Sequence, residues 1–352
     1  MTTRFSRVSV GTTPSKQLPS LLRDHPALNA NMARPTYFCS ADWFEAVLNG
    51  TRPDRCIVLV GWRGSELVAV LPLERKRNRV GGTDLRFLGH QFYPDPLGLI
   101  CASEDFEPAS RAIKDYITNM PGWHRLVLDF LDAGEASAWG GRSQAQGMAP
   151  FLTLPSDFEA LLQQFRKKTR YKVRAAISAA EEAGASFCVA SEPREGIAFL
   201  EQLFRLHALR STQVGRDSSL AGNAIFALHS HLVGNSPAAR LFALVVNGRP
   251  AAVLYGFLHL GRFAYYQVAH DPDFASLGPG TVLLSRVIEW CCRNGVEEFD
   301  FLQGDEDYKF RWSSGRRELS RVTISSDRTA AQIADWVDGM LDAARSRLRG
   351  AA

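Results

Sequence analysis

Apolar residues recur along the chain with two different spacings, and the switches between them sketch its elements. Over residues 1–35, Ser, Thr, Pro and Arg break every periodic run, so an irregular N-terminal arm is expected there. Ser40 followed by ADWFEAVLNG reads as a short helix with a serine cap. Residues 56–60, a turn over 61–64 and residues 67–73 read as a hairpin, and 85–88 as a further strand entering the loop GHQFYPDPLG. A helix over 108–120 and a strand over 125–131 follow.

The tract 133–150 is rich in Gly, Ala, Ser and Gln, the composition of a linker. Beyond it Phe158, Leu161, Leu162, Phe165, Val173, Ala176, Ile177 and Ala180 keep a helical spacing as far as Gly184, which predicts one long helix. Two more helices are expected over 194–210 and 220–232. Residues 241–246, the turn Asn247–Gly248, 251–260 and 262–268 alternate with a period of two and predict an antiparallel meander. The segment HDPDFASLGPG, an apolar helix over 281–292 and a strand over 298–302 complete this half. Residues 329–348 place Ile333, Trp336, Val337, Met340, Leu341 and Ala344 on one helical face, whose expected partner is the core, a membrane or partner surface being the competing reading.

The halves match each other. LVGWRGSELVAVLPL at 59–73 parallels LVVNGRPAAVLYG at 244–256, and LVLDFLDAG at 126–134 parallels EEFDFLQGD at 297–305, in the same order. A duplicated hairpin-helix-strand unit follows, and 352 residues exceed what one core usually holds. The expected organisation is an arm (1–35), a first lobe (36–150), a second lobe (151–326) and a C-terminal amphipathic helix (327–352), of mixed α/β class.

Composition changes little in this picture. Apolar residues make up 45% and charged residues 22%, as in ordinary globular proteins. The net charge of +4, from 41 basic and 37 acidic residues, gives no general affinity for nucleic acid. Six cysteines without a Cys-x-x-Cys pair argue against a structural metal. The first residues lack the apolar run of a signal peptide, and no segment reaches the roughly 20 apolar residues of a membrane span, so a cytoplasmic protein with free thiols is expected.

The most informative chemistry lies where a strand runs into Gly278, Pro279 and Gly280 and then a helix opening at Thr281. Free amides at such a helix start, together with the helix dipole, favour a phosphate. Pro279 has no N–H, so Leu277, Gly278, Gly280, Thr281 and Val282 are the expected donors. A plain structural turn is the competing reading. Six basic residues among the ten at 165–174 admit three readings: a solvated face, a site for an anionic small ligand, or a nucleic-acid contact with Tyr171 as the one aromatic interleaved between basic residues.

These residues resemble the GNAT acyltransferase superfamily, whose pyrophosphate loop reads Arg/Gln-x-x-Gly-x-Gly/Ala; Gly278 and Gly280 match, and Ala275 stands where Arg or Gln is usual. The span from about Thr36 to Ile324 resembles more particularly the CelD-type, or cellulose-biosynthesis-type, acetyltransferases, relatives of the Fem aminoacyltransferases. The segments that carry this are LVAVLPLERKR (67–77), LRFLGHQFYPDPLGLI (85–100), FRKKTRYKVRAA (165–176), LFRLHALRS (203–211) and FDFLQGDEDYKFRW (299–312).

The resemblance implies two tandem GNAT-like lobes, an acyl-CoA donor (most often acetyl-CoA) and an amine acceptor such as an amino sugar or amino acid. Tyr266, Gln267 and Val268 would form the strand edge that receives the pantetheine arm, with a main-chain N–H polarising the thioester. Asp305 or Glu306 would accept the amine proton, Tyr308 protonate the sulfur and Lys309 stabilise negative charge, with His270 a further candidate base. Alternatively the acidic turn only caps its strand, Lys309 pairing with Asp305 on the surface. His207, Arg210, Asp300, Tyr93 and Asp95 are the candidate acceptor contacts, while His229 and His231 gain no support. The first lobe shows no Gly-x-Gly loop and is expected to lack a CoA site. Two other functions compete: an aminoacyltransferase drawing on charged tRNA, suggested by the basic helix, and a non-catalytic accessory protein of polysaccharide synthesis, suggested by Ala275.

Overall fold

A computed structural model describes residues 7–92, 94, 96–213 and 220–326, together with Ile333, Trp336, Val337 and Met340. The chain forms two units: Met1–Gly147 with Glu318–Ala352, and Met148–Arg317.

In the first unit the N-terminal stretch is ordered, against the expectation of an irregular arm. Strand β1 (Ser9–Thr13) pairs antiparallel with β2 (Cys56–Arg63). Buried Leu18 and Leu22 seat α1 (Leu18–Asp24), one turn apart in a stretch too short to display a period. Next come α2 (Ala27–Ala30) and α3 (Ala41–Asn49), the latter capped by Ser40, whose hydroxyl accepts the Trp43 N–H. β3 (Glu66–Arg77) closes a hairpin with β2; β4 (Thr83–Phe87) and the two-residue β5 (Ile100–Cys101) both pair with β3. Helix α4 (Phe106–Thr118) crosses over to β6 (Arg125–Leu131), which lies parallel to β4. Between these strands Arg125 and Asp84 form a buried two-pronged pair, Nε to Oδ1 at 3.0 Å and Nη2 to Oδ2 at 2.7 Å.

The tract expected to be a linker is instead α5 (Ala133–Trp139) and β7 (Arg142–Thr153). Asp132 and Glu135 cap the helix reciprocally and Trp139 is buried beneath it, so small residues here belong to a capped helix rather than to flexible chain.

In the second unit the single helix expected over 157–184 is two, α6 (Phe158–Gln164) and α7 (Lys167–Glu182). Phe165 breaks it: its backbone is extended and its ring packs edge-on to Trp312 at 5.4 Å. β8 (Ala185–Val189), α8 (Pro193–Gln213), α9 (Asn223–Asn235), β9 (Ala239–Val246), β10 (Arg249–His259) and β11 (Arg262–His270) follow. Then come α10 (Pro279–Arg293), β12 (Glu298–Asp300) and α11 (Asp307–Trp312). The sheet order is β8-β9-β10-β11-β12-β7, antiparallel except for β11 and β12. Leu283, Val287, Ile288 and Cys291 of α10 lie in one buried cluster with Phe242, Leu254, Phe263 and Phe299 of the sheet, each such side chain worth about 1.5–3 kcal/mol. The last strand, β13 (Gly315–Ser325), belongs from Glu318 onward to the first unit and pairs antiparallel with β6. The second lobe thus ends at Arg317 rather than at 326, because this strand returns to complete the first sheet.

The two units repeat one topology. Edge strand, hairpin, fourth strand, crossover helix and parallel strand are β1, β2-β3, β4, α4 and β6 in the first, and β8, β9-β10, β11, α10 and β12 in the second. The two matched segments in the sequence are therefore traces of a whole duplicated sheet.

Most of the expected C-terminal helix lies outside the described residues. Ile333, Trp336 and Met340 are exposed, against the expectation of core packing. Among the described residues no helix is long and apolar enough to cross a membrane, and no three His, Cys, Asp or Glu side chains are grouped to hold a metal ion. The six cysteines are free thiols.

Candidate functional site

The site of the second unit is built on β11. This strand pairs with β10 along its whole length, but with β12 only from Arg262 to Ala264. The reason lies in the chain after β12: the Phe301 and Gly304 amides bond to the carbonyls of Pro150 and Met148 on the β7 side. Asp300 Oδ1 takes the Leu302 N–H at 2.9 Å and Leu302 adopts a φ of 57°, turning the chain away from β11. The β11 edge from Tyr265 to His270 is left without a β12 partner.

The pairing with β10 skips one residue. Tyr255 faces Gln267 and Gly256 faces Tyr265, so Tyr266 is the extra residue of a β-bulge. Glycine is required opposite it, since a Cβ on Gly256 would meet the Ala264 carbonyl and the Phe263 ring. Beyond the bulge the Val268 N–H is directed to the Gln267 Oε1 at 3.3 Å rather than into the ladder. It is a main-chain donor on the free edge.

Buried Asp271 holds the loop after β11: Oδ1 accepts the Asp273 N–H at 3.0 Å and Oδ2 meets Arg249 at 3.2 Å. The loop then tightens into a 3-10 turn over Pro272–Leu277, and Gly278, left-handed at φ 58°, caps α10. The helix opens at Pro279, two residues earlier than expected, which suits proline at a first helical position. The expected set of five amide donors is correspondingly smaller. The Gly278 N–H bonds to Ala275 O at 3.1 Å, and the Thr281 and Val282 amides bond to Gly278 O at 3.0 and 3.2 Å. The Leu277 N–H lies inside the 3-10 turn, so Gly280 remains as the candidate, and a Cβ on it would lie 3.7 Å from His270 Nδ1.

The DEDYK segment forms the other wall. Lys309 is buried, its ammonium donating to the Gln303 carbonyl at 2.8 Å and meeting Glu306 Oε2 at 3.1 Å, so its partner is Glu306 and not Asp305. Gly304 leaves the space for that pair, because a Cβ there would collide with both charged groups. Tyr308 Oη lies 3.2 Å from Tyr265 Oη. Burial, with the Glu306 charge adding to it, pushes the Tyr308 phenol up to about 12 and Tyr265 well above its ordinary value. Both are proton donors at neutral pH.

Arg210, on α8, reaches this cluster electrostatically. Its charge opposes the upward shifts of both tyrosines, and it adds to the burial that lowers His270 and His207. Both histidines are therefore neutral and able to accept a proton at pH 7. Tyr265 lies against Tyr308 and Lys309 against Glu306, with the charge of Arg210 within reach of both tyrosines; His207 and His270 are linked to them only through Arg210. Asp305 is exposed to solvent. Asp300 is not an available acceptor contact, since its carboxylate closes the Leu302 turn and lies 3.8 Å from Arg317 Nη1. Tyr93 and Asp95 lie outside the described residues.

Sequence reasoning passed over Tyr265 and set His229 aside. The run FAYYQV at 263–268 was the available signal, since adjacent tyrosines in a strand leave it on opposite faces. His229 Nε2 lies 3.1 Å from Tyr266 Oη. Of the basic cluster, Arg170 is tied to Gln163 and Arg174 to Glu159, while Lys167, Lys168, Tyr171 and Lys172 are exposed. Helix α7 packs against α10 and the 3-10 turn, which brings the cluster toward the loop.

Residues 167–310 match the family model described as "Acetyltransferase (GNAT) domain". The class that the fold and this match define is an acyltransferase with a GNAT-type domain. Among solved structures, FemX superposes with a TM-score of 0.64 at 12% identity, over 89% of this chain and 96% of that one. L-PGS from Bacillus licheniformis gives 0.58 at 12% identity over 92% and 95%. The C-terminal domain (DUF2156) of a putative lysylphosphatidylglycerol synthetase from Agrobacterium fabrum gives 0.57 at 12% over 91% and 94%. At such identities the likeness is one of fold. No curated protein matches the chain.

Proposed function

We propose that the second unit transfers an acyl group from acyl-CoA, in the simplest case acetyl-CoA, to a primary amine of a small metabolite such as an amino sugar or amino acid. The observation that carries this reading is the free β11 edge beside the start of α10. An extended pantetheine arm can add to that edge as a strand would, with the diphosphate toward Gly280 and the thioester carbonyl at the Val268 N–H. His270 or Glu306 would take the proton of the attacking amine. As the carbon–sulfur bond breaks, Tyr308, neutral at pH 7, would protonate the departing thiolate. Against a donor site in the first unit stand two features of its described residues: β4 stops at Phe87, and the head of α4 carries Glu104, Asp105 and Glu107, of which Asp105 and Glu107 are paired with Arg63 and Arg111. This unit is read as having no donor site.

The test is isothermal titration of the whole chain with acetyl-CoA, coenzyme A and a longer acyl-CoA. Binding near micromolar is expected, and Gly280→Val should weaken it about tenfold or more by crowding the helix start and His270. No binding by any of the three would remove the reading. A second reading, charged tRNA as donor, is favoured by exposed Lys167, Lys168 and Lys172 beside Tyr171. It requires an affinity for tRNA that falls steeply with salt. The placement with CelD-type enzymes and a role in polysaccharide synthesis rest on the five sequence segments alone.

A further inference from the structure

We infer that His229 is a positioning residue for the donor edge: through Tyr266 it holds the bulge of β11 and thereby the direction of the Val268 N–H. The inference rests on the donor reading above. Tyr265 and Tyr266 leave the strand on opposite faces of the sheet. Tyr265 packs with Phe299, Phe301 and Tyr308, its hydroxyl 3.2 Å from that of Tyr308. Tyr266 packs with Tyr255, Phe257 and His229, the imidazole centroid 4.9 Å from its ring and Nε2 3.1 Å from its hydroxyl. The bulge is therefore fastened from α11 on one side and from α9 on the other, two residues before Val268.

His229 is an expensive choice for that position. The side chain is fully buried, boxed edge-on by Tyr255 at 5.5 Å and by Phe204 at 6.4 Å. Among the described residues its Nδ1 has no hydrogen-bond partner. A leucine would fill an aromatic box without stranding a ring nitrogen. What only a residue with a nitrogen at Nε2 provides is the bond to Tyr266, so the cost is expected to be repaid in function rather than in stability.

The test uses the full chain carrying His229→Leu, His229→Gln, Tyr266→Phe, or His229→Leu with Tyr266→Phe. Glutamine can place its amide nitrogen near the imidazole Nε2 and should rescue. Amide hydrogen exchange in a peptide covering 262–270 should quicken at least about tenfold in His229→Leu and Tyr266→Phe, and stay as in the parent in His229→Gln. Exchange elsewhere and the melting temperature should hold or improve in His229→Leu. Acetyl-CoA affinity should fall roughly tenfold in the same two variants, with no further loss in the double variant. Unchanged exchange at 262–270 in His229→Leu would overturn the inference. So would a loss spread over the whole chain with a lower melting temperature, or a failure of His229→Gln to rescue. A parent protein that binds no acetyl-CoA would sink the donor reading instead, and the exchange data would still decide whether His229 holds the bulge.

Discussion

Replacing Gly304 by alanine should damage the site through the charged pair beside it. The new Cβ would fall on the Lys309 ammonium and the Glu306 carboxylate, and the backbone φ of 155° is one that side chains rarely adopt. At 3.1 Å the pair attracts by about 5 kcal/mol at an effective dielectric of about 20. Glu306 is about half exposed, so solvent reduces its net worth to about 1 kcal/mol. The buried ammonium also loses the Gln303 carbonyl at 2.8 Å, a charged hydrogen bond worth about 1.5–3 kcal/mol. Together these cost about 3 kcal/mol, which for a unit of this size lowers the melting temperature by about 6–12 °C. Differential scanning calorimetry measures it. Glu306→Gln, which keeps an acceptor for Lys309, should cost only about 1 kcal/mol. A Gly304→Ala protein melting within about 2 °C of the parent would show that Lys309 is not held as described.

In the first unit Asp84→Ala leaves the buried Arg125 guanidinium without its carboxylate and should cost about 3–5 kcal/mol in urea unfolding, while the double variant Asp84→Leu with Arg125→Met should recover most of it. Stability should also fall with acid. Burial, the largest cause for each, pushes His90 down to about 4 and His229 to about 3, so the unfolded chain binds these protons first. The stability they contribute is complete above about pH 6.5 and is lost as the pH falls from there toward 4 and 3, about 2 kcal/mol each by pH 5. Calorimetry across pH 7 to 4.5 should find that His229→Leu takes up about one proton fewer on unfolding near pH 5; an unaltered proton uptake would contradict the burial of a neutral imidazole.

The fold was legible where period-2 and helical spacing were long. The hairpins, the α10 helix and the repeated half followed from pattern, because each buries one continuous face. Local chemistry that overrides pattern was not legible. Asp132 and Glu135 made a helix of an apparent linker, Phe165 cut a regular helical stripe by pointing its ring at Trp312, and β1 declared itself only through its pairing with β2. At the site, the Gly278–Gly280 loop and the DEDYK turn were readable as motifs, but their internal bonding was not. Which amides remain for a phosphate depends on the left-handed cap at Gly278. Lys309 chose Glu306, one helical turn away, over Asp305, and Asp300 was spent on the Leu302 turn; neither choice is visible in spacing alone.

The central claim is that the free edge of β11 receives the thioester, with the Val268 N–H at its carbonyl. Isotope-edited infrared spectroscopy of acetyl-CoA labelled with carbon-13 at the carbonyl tests this directly. Bound to the parent protein, the carbonyl band should move to lower frequency. Bound to Val268→Pro, which removes that one donor without touching the ladder to β10, it should return toward its position in water. A carbonyl band that is the same in both proteins would contradict the account.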